Sequence, residues 1–292
     1  MGRTVDLTPV ERIGDYWFKR DDLFAPFTDI PVNGGKVRQC SRLLNEAHDR
    51  IVKDFNSTVV IGTPISSSMG ILAARIAREH GFRCVVFVGG TKMDSILEKP
   101  KKYALQTNVL SVGGELNTDA KLGYYSTLDG QIAKWTASNG PAFQVKYSQN
   151  LVDYPDSILW SIAEQVQNLP DNLDVLLVPC GACITLSGIL MGLEKYGKKV
   201  GKVIGVQIAG YNRIDDIESY LGPNHLPYVY FPSKDFPYKK LLKIGYNGLE
   251  LDWVYEAKAF WYMENYLKAT VAGKNVCVWV VGNSNLVRTN VY

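Results

Sequence analysis

The run Ser57–Val88, STVVIGTPISSSMGILAARIAREHGFRCVVFV, decides the fold class. It opens with the apolar, β-branched stretch Ser57 to Ile61, which reads as a buried strand. A small polar turn follows, Gly62 to Gly70, carrying Ser66, Ser67 and Ser68. Ile71 to Gly81 reads as a helix, and Cys84 to Val88 is a second apolar strand closed by Gly89 and Gly90. Strand, polar turn, helix, strand is a βαβ unit, so the sheet is expected to be parallel with a right-handed crossover.

The same grammar extends in both directions. Upstream, Asp15 to Leu23 reads as a short strand ending in a charged turn, and Phe24 to Val32 is a loop with Pro26 and Pro31. That loop leads into Asn33-Gly34-Gly35-Lys36, followed by a helix from Arg38 to Ile51 with Leu43, Leu44, Ala47 and Ile51 at helical spacing. Downstream, a helix is expected to begin at Lys99 to Tyr103, and Val109 to Val112 reads as a strand ending in Gly113-Gly114. Asp119 to Ser138 reads as a helix and Phe143 to Val145 as a strand. Leu151 to Leu169 is expected to be helical and Val175 to Val178 a buried strand. Pro179 to Gly188 opens a helix running to Tyr196, and Val203 to Ile208 is the next strand. Tyr211 to Gly245 is rich in Pro and Tyr and gives no assignment. Trp253 to Leu267 closes the helices, and Val276 to Val281 the strands, before Gly282-Asn283-Ser284-Asn285. The expected class is α/β with mostly parallel, helix-flanked sheets.

Bulk composition narrows the function classes. A chain of 292 residues buries a substantial core in one large or two medium domains. It is 46% hydrophobic and 21% charged, as expected of a globular protein, and its net charge of +3 does not by itself imply nucleic-acid binding. No apolar run reaches a membrane span, and Met1 to Val10 lacks a signal-peptide core, so a cytoplasmic protein without membrane contact is expected. The five cysteines fit a reducing compartment better than a disulfide scaffold. Cys180-Gly181-Ala182-Cys183 has metal or redox spacing, but no second ligand pair accompanies it and the three histidines are scattered, so no metal is expected.

Lys36 stands where a glycine turn hands over to a helix. Its ammonium could bind an anion there, or its amine could serve as a nucleophile in a dry pocket; the bland alternative is a solvated surface lysine. Three strand-to-helix loops are small and polar: Ser66-Ser67-Ser68, Gly181 to Thr185, and Gly282 to Asn285. Open parallel sheets bind ligands at such loops, where backbone N–H groups cradle phosphates. Each loop alone is common in α/β proteins. Together with a glycine-framed lysine they suggest a phosphorylated, imine-forming cofactor, pyridoxal 5'-phosphate.

Several motifs carry a resemblance to a known family. Phe18-Lys19-Arg20-Asp21-Asp22-Leu23, Gly34-Gly35-Lys36-Val37-Arg38, Gly62 to Gly70, Gly181 to Gly188, Val203 to Gly210 and Leu251 to Ala259 fall in the order found in fold-type II pyridoxal-phosphate enzymes. The sequence resembles the tryptophan synthase β superfamily, and within it the branch of 1-aminocyclopropane-1-carboxylate deaminase and D-cysteine desulfhydrase. The resemblance implies that Lys36 is the Schiff-base lysine and later moves the α-proton. It implies that Gly181, Ala182, Cys183, Ile184 and Thr185 hold the phosphate, and that Ser66 lies near the substrate carboxylate. Ser67 or Ser68 would take the place of the asparagine at the cofactor's phenolic oxygen. Glu256 would face the pyridine nitrogen, with Tyr255 the adjacent phenol. The bland alternative for Tyr255 and Glu256 is an amphipathic helix start, with Glu complementing the dipole.

The resemblance also implies two domains, residues 40–150 forming the smaller and residues 1–39 with 151–292 the larger cofactor-binding one, the cofactor in the cleft and the chain a homodimer. Departures from the family pattern fall at Gly35, at the serine triplet, and at Cys183 and Ile184. The stretch between Ile208 and Leu251 is shorter than the family's. A trimmed wall with Trp253, Trp261 and Tyr-rich loops would suit a bulkier substrate. Three readings follow. One is a lyase or deaminase acting at Cα of an amino acid. A second is a decarboxylase acting on an amino acid attached to thymine in hypermodified bacteriophage DNA, in the host cytoplasm. For that reading Lys99, Lys101 and Lys102, with Lys239, Lys240 and Lys243, are candidates to face phosphates, against the plain alternative of a solvated face. The third is a catalytically silent ligand-binding protein, against which the joint presence of Lys36 and Glu256 speaks.

Overall fold

The computed structural model describes residues 6–64, 67–89, 109–117, 125–146, 153–208, 214–222, 225–232, 236–237, 240–283 and 285. In chain order the first strands and helices are β1 (Val10–Ile13), β2 (Tyr16–Arg20), α1 (Gly35–Glu46), α2 (His48–Asp54), β3 (Thr58–Pro64), α3 (Met69–Glu79), β4 (Arg83–Gly89) and β5 (Glu115–Asn117). Next come α4 (Tyr125–Asn139), β6 (Phe143–Val145), α5 (Pro155–Ala163), β7 (Leu173–Cys180), α6 (Ile184–Lys195) and β8 (Val200–Gln207). The chain ends with α7 (Ile214–Leu221), β9 (Val229–Pro232), the short pair β10 (Gly245–Tyr246) and β11 (Leu249–Glu250), then α8 (Glu256–Tyr266), α9 (Lys268–Val271) and β12 (Val276–Val280).

The chain divides into two compact units. The first gathers Met1–Phe24, Asn33–Lys36 and Ile158–Asn283, and the second Ala25–Val32, Val37–Ser157 and Ser284–Tyr292. The sheet of the first unit has the order β1-β2-β12-β7-β8-β9; β1 and β2 are antiparallel and every other pairing is parallel. The buried stretches of its central strands, Val175 to Cys180, Val203 to Val206 and Val276 to Val280, are apolar, as strands covered on both faces must be. Val175, Leu177, Ile204, Val206, Val276, Val278 and Val280 alternate along them and present one face to Ala257, Phe260 and Met263 of α8. Each such fully buried side chain contributes about 1.5–3 kcal/mol. This packing fixes α8, and with it Glu256, against the sheet.

The second unit has a four-stranded parallel sheet of order β5-β4-β3-β6. Helix α4 covers one face through Leu128 and Ile132 on Val60, Val85 and Phe87. Helix α3 packs against β3 and β4 with nearly every residue of its first two turns buried. The βαβ reading of Ser57–Val88 therefore holds, and the α/β class with it. Among the described residues no helix is long and apolar enough to cross a membrane.

Several element boundaries differ from expectation. Val109 to Val112 is not a strand: residues 109–111 are helical, and β5 begins only after Gly113-Gly114. Val109 and Val112 are buried while Leu110 is 59% exposed, the spacing of one helix face. The expected helix Arg38 to Ile51 breaks at Ala47 into α1 and α2. The expected Leu151 to Leu169 helix becomes α5 followed by a tighter 3₁₀ turn, Glu164–Asn168. The last long helix starts at Glu256, because the Asp252 carboxylate accepts from the Val254 and Tyr255 N–H groups (2.9 and 3.2 Å) and holds that stretch as a turn. The helix expected from Lys99 lies outside the described residues.

Candidate active site

In the first unit the stretch Asn33–Lys36 is anchored by backbone. Gly34 N–H donates to the Phe24 carbonyl and Gly35 N–H to the Val281 carbonyl, both at 2.8 Å. Gly34 has φ +94°, and a Cβ there would lie 2.4 Å from both Gly282 Cα and the Val281 oxygen. Only glycine fits such an approach. The Asn33 side-chain oxygen accepts from Asn283 N–H (2.6 Å), so the expected loop after β12 and the segment before Lys36 brace one another. Lys36 itself is half-buried, with Nζ 5.3 Å from the centre of the Tyr255 ring.

Tyr255 occupies the position before α8 and Glu256 the first position within it. The Tyr255 ring also reaches the loop after β7: a Cβ on Gly181 would sit 3.1 Å from Tyr255 Cε1. One aromatic ring thus connects the lysine to the Gly181 loop. Glu256 is fully buried. Its Oε1 accepts from Val281 N–H at 2.6 Å, while Oε2 has no hydrogen-bond partner among the described residues. Burial, and after it the neighbouring Asp252 carboxylate, hold the Glu256 carboxyl well above the usual carboxylate range.

The Gly181 loop joins β7 to α6. Cys183 takes the left-handed conformation (φ +60°) as the residue before the helix, and its side chain makes no cap bond. The first helix amide to find a carbonyl in this turn is that of Ser187, on Cys183 (3.0 Å). The N–H groups preceding it are the ordinary uncapped donors of a helix start, which favour an anion. Ala182 and Thr185 are half-buried, and Cys183 and Ile184 are buried. Both thiols of the Cys180/Cys183 pair are buried and unoxidised, and burial raises the Cys180 thiol. No cluster of potential metal ligands occurs among the described residues.

The remaining sequence-predicted residues have other settings. Ser66 lies outside the described residues. Ser67 and Ser68 belong to the second unit: Ser67 Oγ accepts from Met69 N–H (3.2 Å), and buried Ser68 precedes α3 without capping it. Of the lysine clusters, Lys99, Lys101, Lys102 and Lys239 lie outside the described residues. Lys240 and Lys243 are exposed, their ammonium groups 5.0 Å over Phe236 and 4.6 Å over Trp253. Trp253 and residues 243–250 line an open groove of about 550 Å³. Trp261 instead packs its ring against Phe236 (4.8 Å).

Two features were not read from the sequence. Lys19 is fully buried and donates to the Thr8 carbonyl and to Asn168 Oδ1, both at 2.7 Å, while Asp21 accepts from Thr8 Oγ1 (2.7 Å) and Trp279 Nε1 (3.1 Å). The Lys-Arg-Asp-Asp stretch is therefore a buried polar network that fixes β2. The second feature is Gln207 at the end of β8, also fully buried, which the sequence announces only as a lone polar residue at the carboxyl end of an apolar strand.

The residues present fit pyridoxal phosphate. The orphaned Glu256 oxygen calls for a proton donor such as a protonated pyridine nitrogen, the uncapped start of α6 suits a phosphate, and the half-buried Lys36 amine suits an aldehyde. Comparison with known proteins agrees. The profile of the family described as "Pyridoxal-phosphate dependent enzyme" matches residues 5–226. A curated relative, the O-seryl-dTMP PLP-dependent decarboxylase of Salmonella phage ViI, is 29% identical over 217 residues, covering 70% of this chain and 49% of the relative. The chain thus spans about half the length of that relative. Among solved structures, an ACC deaminase homologue superposes with a TM-score of 0.71 at 15% identity, covering 94% of this chain and 89% of its own. The processed form of threonine deaminase isoform 2 from Solanum lycopersicum gives 0.63 at 11% identity, covering 95% and 84%. These likenesses show the fold, fold type II; the matched profile, together with the Lys36–Tyr255–Gly181 arrangement, places the chain in the family of pyridoxal-phosphate-dependent enzymes.

Proposed function

We propose that this enzyme cleaves a bond at Cα of an amino-acid group carried by a thymidine nucleotide, and that the bond is the one to the carboxylate. The observation that carries the reading is the Lys36–Tyr255–Gly181 contact series with Glu256 beside it. Bound there, the cofactor supplies an electron sink for the pair left at Cα. Lys36 Nζ would hold the cofactor's aldehyde carbon and return a proton to Cα. The uncapped amides at Ile184 and Thr185 would bind the phosphate, with Gly181, Ala182 and Cys183 shaping the turn. Glu256 Oε2 would accept the pyridine N–H, and Tyr255 would wall the site between Lys36 and the loop. Decarboxylation releases CO2 and takes up one proton at Cα, so an O-seryl group becomes a 2-aminoethoxy group.

The nucleotide substrate and the choice of bond are supported by the phage relative, which is named for decarboxylating O-seryl-dTMP. The exposed Lys240, and the exposed Lys243 in the wall of the Trp253 groove, support a nucleotide presented within DNA. The second reading, deamination or another lyase reaction on a free amino acid, is favoured by the fold likeness to deaminases. Mass spectrometry of O-seryl-dTMP incubated with the loaded enzyme separates the two. Loss of CO2 with retention of nitrogen supports the first, whereas release of ammonia, or turnover of free serine or threonine alone, overturns it.

A further inference from the structure

We propose that Gln207 is a positioning residue that sets the anion selectivity of the Gly181–Thr185 loop, an inference that rests on reading this loop as the phosphate site. Gln207 is the register partner of Cys180, the last residue of β7 before the loop. Its fully buried amide divides its bonds between two ends of the turn. Nε2 donates to the Gly181 carbonyl (3.2 Å), and Oε1 accepts from the Cys183 thiol (3.6 Å). The Tyr230 hydroxyl donates to the same Oε1, which fixes which way the amide faces.

The arrangement answers a local problem. Cys183 sits at φ +60°, a conformation strained for a residue with a Cβ. A glycine would adopt it freely, but would offer Gln207 no thiol. The side-chain bonds at residues 181 and 183 clamp the turn so that its carbonyl at Gly181 is occupied from the β8 side. An unclamped carbonyl that swung toward the helix start would present its negative end to the anion and weaken phosphate binding. Gln207 therefore acts through the backbone and touches no reacting atom.

The test uses the full chain stripped of cofactor and titrated with pyridoxal phosphate and, separately, with pyridoxal, which lacks the phosphate. Binding is read by the visible absorbance of the lysine adduct, and folding by a thermal melt. Gln207→Leu is expected to weaken pyridoxal phosphate binding 10- to 100-fold while leaving pyridoxal binding within twofold of wild type. Tyr230→Phe, a milder change, is expected to weaken phosphate-dependent binding about threefold. If wild type binds the two ligands equally, the loop does not hold the phosphate and the underlying reading fails. If wild type prefers pyridoxal phosphate and both variants keep the full preference, the role of Gln207 alone is overturned. Parallel loss of both ligands with a lowered melting temperature would make Gln207 merely structural, which also overturns it.

Discussion

Glu256 Oε1 accepts a 2.6 Å hydrogen bond from Val281 N–H, and the carbonyl of the same valine accepts from Gly35 N–H at 2.8 Å. A single residue just beyond β12 thus couples the buried carboxyl to the backbone immediately before Lys36. Replacing Glu256 by Ala leaves the Val281 N–H without its acceptor, at a cost of about 1–3 kcal/mol. Gln retains an acceptor at that position. At pH 5, urea melts of the cofactor-free chain should show Glu256→Ala less stable than wild type by that amount and Glu256→Gln close to wild type. Equal stability of all three would mean that the bond contributes nothing.

The same carboxyl makes stability depend on pH. Its folded pKa is raised by burial and then by Asp252, whereas in the unfolded chain it titrates in the ordinary carboxylate range. The stabilising contribution is therefore complete below the unfolded value. It is lost as pH rises toward the folded value, at up to about 1.4 kcal/mol per pH unit. The stability of Glu256→Gln minus that of wild type should grow between pH 5 and pH 8. A flat difference would contradict the raised pKa.

Gly34 and Gly81 form a controlled pair. Both have positive φ, but a Cβ at Gly34 meets backbone atoms at 2.4 Å, whereas nothing lies within 4 Å of one at Gly81. Gly81→Ala should cost only the backbone term, about 1–2 kcal/mol. Gly34→Ala adds a clash that neither backbone can relieve, and a total of about 2–5 kcal/mol is expected. Because Lys36 follows two residues later, cofactor loading should fall in Gly34→Ala and be unchanged in Gly81→Ala.

What the sequence made legible follows the length and periodicity of its signals. Ser57–Val88 holds four concordant features within 32 residues; its two strands and its helix formed, while the turn proved shorter than Gly62 to Gly70 because β3 runs on to Pro64 and α3 begins at Met69. Val109 to Val112 failed because four residues, apolar except for Ser111, do not distinguish a strand from one helix face. The deciding signal lay just beyond it. Gly113 N–H bonds to the Leu110 carbonyl and Gly114 N–H to that of Val109, a helix-ending motif in which Gly113 takes φ +84°. The candidate residues Lys36, Gly181 and Tyr255 were legible as motifs, but their common contact through one ring is tertiary. Gln207 was hidden because its partners, Gly181, Cys183 and Tyr230, lie far from it in the sequence.

Among the described residues, Lys36 Nζ is held by its ring contact with Tyr255, worth about 0.5–1 kcal/mol. Lys36→Ala should therefore melt within a few degrees of wild type, yet show no visible absorbance band and no borohydride-reduced pyridoxyl adduct. Activity should drop by at least about 10²–10⁴-fold, the usual worth of a positioned proton-transfer group. Tyr255→Phe keeps the ring against Gly181 and removes only the hydroxyl. Cofactor binding should survive that change, because the ring is the part that walls the site. An adduct found on another lysine in the wild type would displace Lys36 from its role.

Lys240 and Lys243 separate a nucleotide carried within DNA from a free one. Both are exposed and rest over aromatic rings, so reversing their charge should disturb the fold little, with melts near wild type. Removing one lysine–phosphate ion pair lowers the dependence of log affinity on log salt by about 0.9 for a duplex and about 0.7 for a single strand. Lys240→Glu with Lys243→Glu should raise KM for DNA carrying the seryl group and flatten its salt dependence by about one to two. KM for the mononucleotide should change far less, since a single phosphate releases few counterions. If both substrates respond identically, or if turnover of the DNA substrate is insensitive to salt in the wild type, these lysines contact no strand, and the reaction precedes incorporation of the nucleotide.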